Sequence, residues 1–361
     1  MDRILLVRTD GIGDFVIFSA VLETYRQLYR AYRIDLVCHP NVADLARPIP
    51  FVDRVIPLNT RKLFRRSHMI YTASALLRLR SQSYEKALYP VYSRRRRDDL
   101  LVRFLLAREK IAFDGDNAND RDNGRADRNR HFTLIIPGER RAVPEIARNA
   151  EFLKALGADV AVEQLRPRIW FTEEDQAFSQ QLLREHDLRA KGYVALFPGA
   201  SDPVRHWDHA KWAELSERLL ARGTEHKIVL LGHGQDAAAI SAILQAMTPG
   251  ARQRVVNLCG MTGLRVLGKL IEGAQLLVGA ESAGVHIAAA VGTPGLCLMG
   301  GGHFGRFYPY GDLNKNRVVY RQMDCYGCNW HCRYDVARCI REIRTDEVLN
   351  QAVHLLSGAP L

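Results

Sequence analysis

The sequence has no long hydrophobic run. Its most apolar stretch, residues 274–302, is rich in glycine and broken by Glu281, His286 and Pro294, which excludes a membrane-spanning helix. The opening apolar run, Ile4-Leu5-Leu6-Val7, is too short for a secretory signal and stops at Thr9-Asp10, so nothing in it directs export. Cysteine is scarce as well: seven in 361 residues cannot form a disulfide scaffold, which points to a reducing, cytoplasmic setting. Aromatic residues make up 8% and are not interleaved with the basic runs, and no nucleic-acid-binding motif occurs, so no nucleic-acid partner is expected. One glycine is also missing. Gly11-Ile12-Gly13-Asp14-Phe15-Val16 supplies two of the three that a dinucleotide fingerprint needs, and the turn is not read as a cofactor site.

What is present suffices for a sizeable core. With 47% hydrophobic and 25% charged residues the composition is that of a soluble globular protein, and 361 residues suit two domains. Short apolar runs alternate with helical segments twice over, the sequence form of two parallel α/β units. In the first half strands are expected at 4–7, 34–38, 54–58, 87–91 and 132–136, with 15–29 the clearest helix. In the second half strands are expected at 193–197, 227–231, 255–258, 276–278 and 295–298, with helices at 209–221, 236–247, 264–272 and 282–291. A junction near 165–190 gives domains 1–170 and 171–361, the latter with a Cys-rich segment at 325–339. Residues 114–130 are too polar to bury and read as a mobile loop on the acceptor side.

The net charge of +11 is unevenly placed: residues 1–130 hold 25 Lys/Arg against 16 Asp/Glu. Arg61-Lys62 with Arg65-Arg66, and Arg94 to Arg97, form clusters that attract phosphorylated substrates or an anionic membrane surface, or else make a solvated basic face.

Ligands in open α/β sheets sit outside the carboxyl ends of the strands, and the unusual residues follow strands. Pro198 to Trp207 is a small-residue turn containing Ser201 and ending in Arg205, a cation suited to phosphate. Glu281-Ser282-Ala283-Gly284-Val285-His286 opens a helix whose free N–H groups suit a diphosphate, although small residues there also serve close packing. His286, one turn in, either reaches the diphosphate or packs internally. Asp236 either accepts hydrogen bonds from a ribose or caps its own helix. In the first half, Asp10 and Asp14 flank Gly11 and Gly13 at a strand–helix turn, where either carboxylate can take a proton from an attacking hydroxyl.

Together these residues resemble glycosyltransferase family 9, the ADP-heptose:lipopolysaccharide heptosyltransferases, from the first strand to about residue 345. Arg8-Thr9-Asp10-Gly11-Ile12-Gly13-Asp14 is similar to the family's glycine–Asp turn, which makes Asp14 the match for its catalytic base. Phe197 to Ala200 through Arg205-His206-Trp207 resembles the donor-phosphate loop, with Arg205 where lysine is common. Glu281 to Ala289 resembles Asp-(Ser/Thr)-Gly-x-x-His-x-Ala-Ala, with Glu281 for the aspartate and Ala283 for the glycine, while Asp236 falls at an acidic ribose ligand. Ala20 stands where proline is usual.

The resemblance implies a bacterial enzyme of the GT-B type, two Rossmann-like domains facing across a cleft. It implies an inverting transfer from a nucleotide-diphosphate sugar, by default ADP-heptose, to a glycan such as the lipopolysaccharide core, a glycolipid or a protein hydroxyl. The donor loops lack the paired carboxylates of a Mg²⁺ site, so no cofactor is expected for catalysis. Asp14 and Arg205 carry the chemistry in this reading. Ser201, Asp236, Glu281, Ser282, Ala283, Gly284 and His286 bind donor, and Asp10, Gly13, Arg94 and Arg95 lie on the acceptor side. The alternatives are a nucleotide-sugar epimerase of the same architecture and a non-catalytic nucleotide-sugar-binding module. The location expected is cytoplasmic, with a peripheral contact at the anionic inner membrane open to the basic first third. Lastly, Cys325, Cys328, Cys332 and Cys339 crowd into fifteen residues, a density that suits a structural zinc or iron site.

Overall fold

The structure is a computed structural model and describes residues 2–62, 69–116, 118–119, 125–138, 143–222 and 227–358. Arg65 and Arg66 of the basic cluster, and 117 and 120–124 of the polar segment, lie outside the described residues. The chain divides into two compact units, Met1–Pro167 and Arg168–Leu361.

The first unit is built on six strands: β1 (Arg3–Arg8), β2 (Arg33–Cys38), β3 (Arg54–Pro57), β4 (Tyr84–Tyr89), β5 (Ala107–Phe113) and β6 (Leu134–Ile136). All pair in parallel in the order β3-β2-β1-β4-β5-β6. The second unit repeats the plan with β7 (Tyr193–Phe197), β8 (Lys227–Leu230), β9 (Val255–Asn257), β10 (Leu276–Ala280), β11 (Gly295–Met299) and β12 (Asn316–Tyr320). Its order, β12-β11-β10-β7-β8-β9, is the same winding seen from the other edge. Central strands such as Ile4–Val7 and Leu276–Val278 are fully buried because helices cover both faces, which is why they read as continuous apolar runs without alternation.

In each unit the first three strands wind one way and the fourth returns beside the first. The switch points therefore fall between β1 and β4 and between β7 and β10, where loops at the carboxyl ends diverge and leave a crevice.

Two strands escaped the sequence pattern. In β5, Ala107-Arg108-Glu109-Lys110-Ile111-Ala112-Phe113 begins with three charges, and pairing with β4 compensates: Lys86 meets Glu109 at 2.7 Å and Arg108 meets Glu85 at 3.0 Å. The strand β12 is an edge with Arg317 inside it. The helix expected over 15–29 is two, Ile12–Phe18 and Leu22–Leu28, joined by a tighter turn at Ser19–Val21. The polar segment is not all loop: Arg125–Asn129 is helical, and Asn129 donates to the Asp114 carboxylate at 2.8 Å.

In the second unit, Trp207 belongs to the core and not to a ligand loop. It is 1% exposed, packs edge-on to Trp212 and donates its indole N–H to the Ile343 carbonyl at 3.0 Å, fixing where the preceding Pro198–Arg205 loop ends. No described helix is long and apolar enough to cross a membrane.

Candidate active site

In the second unit the loops after β7, β8 and β10 come together at the carboxyl end of the sheet. Ser282 is the N-cap residue of the helix Ala283–Val291, yet its side chain does not cap. Its hydroxyl donates instead to the Gly199 carbonyl at 2.9 Å, tying the loop after β10 to the loop after β7. The helix start is thus left without an N-cap side-chain bond among the described residues, and with the helix dipole it forms a positive end at the β7/β10 switch point. Arg205 completes the tie by donating from Nη1 to the Glu281 carbonyl at 3.2 Å. Two positive features therefore flank one crevice.

The Glu281 side chain is 3% exposed, and burial pushes its carboxyl up to about 7 against the opposing pull of Arg205 and of the Gly300 N–H that donates to it. One of its oxygens, Oε2, has no hydrogen-bond partner. Asp236 accepts the His233 N–H at 2.8 Å and so braces its own turn. Its carboxyl also packs over Gly199, where a Cβ would come within 2.3 Å. Of the two readings of Asp236, the capping one is met in part: its side chain braces the Gly234–Asp236 turn but makes no capping bond to the helix Ala237–Ala246.

Ser201 is exposed and Ala283 half-buried, while Gly284 is buried against Phe197. His286 is 5% exposed, shares a hydrogen bond with the Tyr310 hydroxyl at 3.1 Å and stacks on that ring. The internal-packing role read for it is therefore filled.

In the first unit the turn after β1 is organised by Arg8, a residue to which the sequence pattern assigns no role of its own. Its guanidinium is fully buried and reaches Asp10 at 2.9 Å, Glu145 at 3.3 Å, the Pro90 carbonyl at 2.9 Å and Asn149 at 3.3 Å. Burial pushes the Asp10 carboxyl up to about 7; Arg8 opposes that, and Asp14 and Glu145 add to it. Asp14, three residues into the helix from Gly11, accepts the Gly11 N–H at 3.2 Å and is only half-buried. Gly13 sits between them, also half-buried.

Cations gather around these carboxylates. Arg61 is held below its ordinary value first by Arg95 and then by burial, and it feels Asp14 and Asp10. His39 is lowered by burial and by Arg61, Arg95 and Lys62. The sequence signal for Arg8, Glu145 and Asn149 was slight: a cation closing an apolar strand, and two polar residues on a helix otherwise patterned for the core.

Arg94 requires a correction. It is 1% exposed, bidentate on Asp99 at 2.9 and 3.1 Å, and it donates to the Phe113 carbonyl and to Asn129. A guanidinium so committed holds the fold of its own unit and is not part of an open acceptor surface, whereas half-buried Arg95 remains beside Asp10.

The Cys-rich segment also differs from expectation. Cys339 is buried, with its thiol pushed up by burial and further by the nearby Cys325, Cys328 and Cys332. Among the described residues no group of three or more His, Cys, Asp or Glu is arranged to hold a metal ion, and the zinc or iron site expected there has no support in the structure.

The sequence matches Glycosyltransferase family 9 (heptosyltransferase) over residues 78–331. It is 28% identical over 295 residues to a lipopolysaccharide heptosyltransferase 3 of Escherichia coli, covering 80% of each chain. Among solved structures, E. coli ADP-heptose lps heptosyltransferase II superposes with a TM-score of 0.73 at 20% identity over 99% of both chains. The glycosyl transferase family 9 protein of Veillonella parvula DSM 2008 does so with 0.76 at 16% identity, over 99% of this chain and 98% of that one. These structures establish the fold, an α/β architecture of the GT-B type. Since the family match takes in more than half of the sequence, both switch-point loops of the second unit included, the chain belongs to glycosyltransferase family 9 and is a glycosyltransferase.

Proposed function

We propose that this enzyme transfers heptose from ADP-heptose, with inversion, to a hydroxyl of a lipopolysaccharide-core type of acceptor. The observation that carries the reading is the pairing of Arg205 with the uncapped start of the helix Ala283–Val291 at one switch point. A leaving nucleoside diphosphate develops negative charge there, and a fixed cation beside the N-terminus of an uncapped helix stabilises it without reorganisation. Either cation type serves a diphosphate, but a guanidinium adds the chance of bidentate contact.

Around that anchor the donor lies along Ser201, Glu281, Ser282, Ala283 and Gly284, with Asp236 on the ribose. Exposed Met261, on the loop after β9, adds an apolar face for a base. On the first unit Asp14 serves as general base. It is more open than Asp10, whose one oxygen is engaged by Arg8 and whose other is buried. The acceptor's anionic groups meet His39, Arg61 and Arg95.

The names of the relatives, lipopolysaccharide heptosyltransferases, support the choice of donor and acceptor class. The test is mass spectrometry of products after incubation with ADP-heptose and a panel of core acceptors. A product heavier by one heptose, together with ADP, is expected. Release of an isomerised nucleotide sugar would indicate an epimerase, and tight donor binding without any product would indicate a binding module.

A further inference from the structure

The Cys-rich segment sends one residue back to the donor loops. Trp330 lies with its ring 4.7 Å from the Arg205 guanidinium carbon, within cation–π range. Its indole N–H donates to His303 Nδ1 at 3.2 Å, and His303 in turn is bonded to Asn329. The ring rests directly on the backbone of the run after β11: a Cβ on Gly300 or on Gly302 would come within 2.6 or 2.4 Å of it. Asn329 and Gly327 fasten the segment to the same run through N–H bonds to Gly302 and Gly301 at 3.1 and 2.8 Å.

The backbone at Trp330 is the second anomaly. Asn329 and Trp330 have φ of 49° and 62°, a left-handed region that a bulky residue enters only with strain. Glycine would sit there unstrained, but it would present no ring. Gly300, which carries the indole, is also the residue whose N–H donates to Glu281. Arg205, Glu281, Gly300 and Trp330 therefore close a circuit, in which the guanidinium is held on one side by the Glu281 carbonyl and faces the indole ring on another.

We propose that Trp330 is a positioning residue for Arg205: the Cys-rich segment exists in this chain to hold an aromatic platform that fixes the guanidinium against the donor diphosphate. This rests on the reading of Arg205 as the diphosphate cation. A freely rotating arginine would sweep several rotamers and lose entropy on meeting the donor; stacked on a ring that is itself pinned by His303 and the glycine run, it is pre-ordered.

The experiment is a double-mutant cycle read by ADP titration calorimetry and by donor kinetics, using the full chain. Trp330→Leu is expected to weaken ADP binding about 5- to 20-fold and to lower kcat with it, while Trp330→Phe, which keeps a ring, recovers most of the loss. In an Arg205→Ala background, Trp330→Leu should cost less than a further 2-fold, because its target is gone. If Trp330→Leu weakens ADP binding as much without Arg205 as with it, or if Trp330→Phe is as poor as Trp330→Leu, Trp330 acts through general packing and the inference is overturned. Should Arg205→Ala by itself leave ADP affinity unchanged, the diphosphate assignment fails first and this inference with it. Should Trp330→Leu not fold, the Trp330→Phe arm still decides: on ADP addition its fluorescence should lose the component that separates it from the wild type, and an identical response in both would reject contact between the ring and the loaded site.

Discussion

Two carboxyls pushed up to about 7, Asp10 and Glu281, make the chemistry of single residues testable by pH. On the catalytic side, ionisation of Asp10 above about pH 7 adds a negative charge beside the proposed base Asp14, which favours departure of the acceptor's proton. Turnover should therefore rise through pH 7. In Asp10→Asn that limb should flatten at the low-pH level, while Asp14→Asn should lose at least about 100-fold in kcat at every pH yet bind ADP normally. Near-normal turnover by Asp14→Asn would remove it as the base. On the stability side, the folded form of Glu281 keeps its proton between 4.5 and about 7, whereas the unfolded chain has released it. The native state then binds the extra proton, so stability contributed by this group is present below the unfolded value and is lost as pH rises toward 7. A shift of this size corresponds to about 3 kcal/mol at most. Glu281→Gln should be more stable than wild type at pH 8 by 1–3 kcal/mol on the order of magnitude, and nearly equal to it at pH 4. Thermal melts at the two pH values check this, and an advantage that is larger at pH 4 would contradict the assigned direction.

At the level of elements, the helix Ala283–Val291 depends on close approach. Gly284 faces Phe197 at the end of β7, where an added Cβ would come within 2.6 Å of the ring. Gly284→Ala should cost roughly 1–3 kcal/mol through overpacking, lowering Tm by several degrees, and should weaken ADP binding because the helix start is pushed off β7. Unchanged melting together with unchanged ADP affinity would show that the helix does not sit this close. This element was legible in the sequence: small residues after a fully apolar strand, then a short apolar helix, specify a strand–helix junction by pattern alone. The loop Pro198–Arg205 was legible for the same reason. The strand β5 was not, because its register is set by charge pairs to Lys86 and Glu85, and these become visible only once β4 lies beside it. Arg94 shows the same limit from the other side, since a run of four arginines looks uniformly solvent-facing until Asp99 and Asn129 are brought to the first of them. Trp330 sits inside the thiol-rich segment, where the cysteines carry the visible pattern. Its partner Arg205 lies 125 residues earlier in the chain, and no local period links them.

For the molecule as a whole, the uneven charge becomes an argument about rates and affinities. Residues 1–130 carry 25 basic against 16 acidic side chains, and near Asp10 and Asp14 the cations are crowded enough that Arg95 depresses Arg61 and both depress His39. Crowding of that kind costs free energy in the empty protein, and an anionic acceptor bound there, as proposed, would relieve it. Exposed charges are screened over about 10 Å at 0.1 M salt and about 3 Å at 1 M, while partly buried pairs are screened much less. The proposed acceptor site, a cluster of like cations around exposed Arg61, should thus be more sensitive to salt than a diphosphate held, as proposed, by the single half-buried Arg205 and a helix start. Raising NaCl from about 0.05 to 0.5 M should increase the acceptor KM several-fold and change ADP affinity by less than about 2-fold. Arg61→Glu combined with Arg95→Glu should reproduce the high-salt KM at low salt and flatten its salt dependence, again sparing ADP. Arg94→Glu should behave differently, losing folded protein, because it strands Asp99 without its bidentate partner. Parallel salt dependence for acceptor and ADP in the wild type, or a low-salt KM left unchanged by the double charge reversal, would contradict the division of the acceptor to the first unit and the donor to the second.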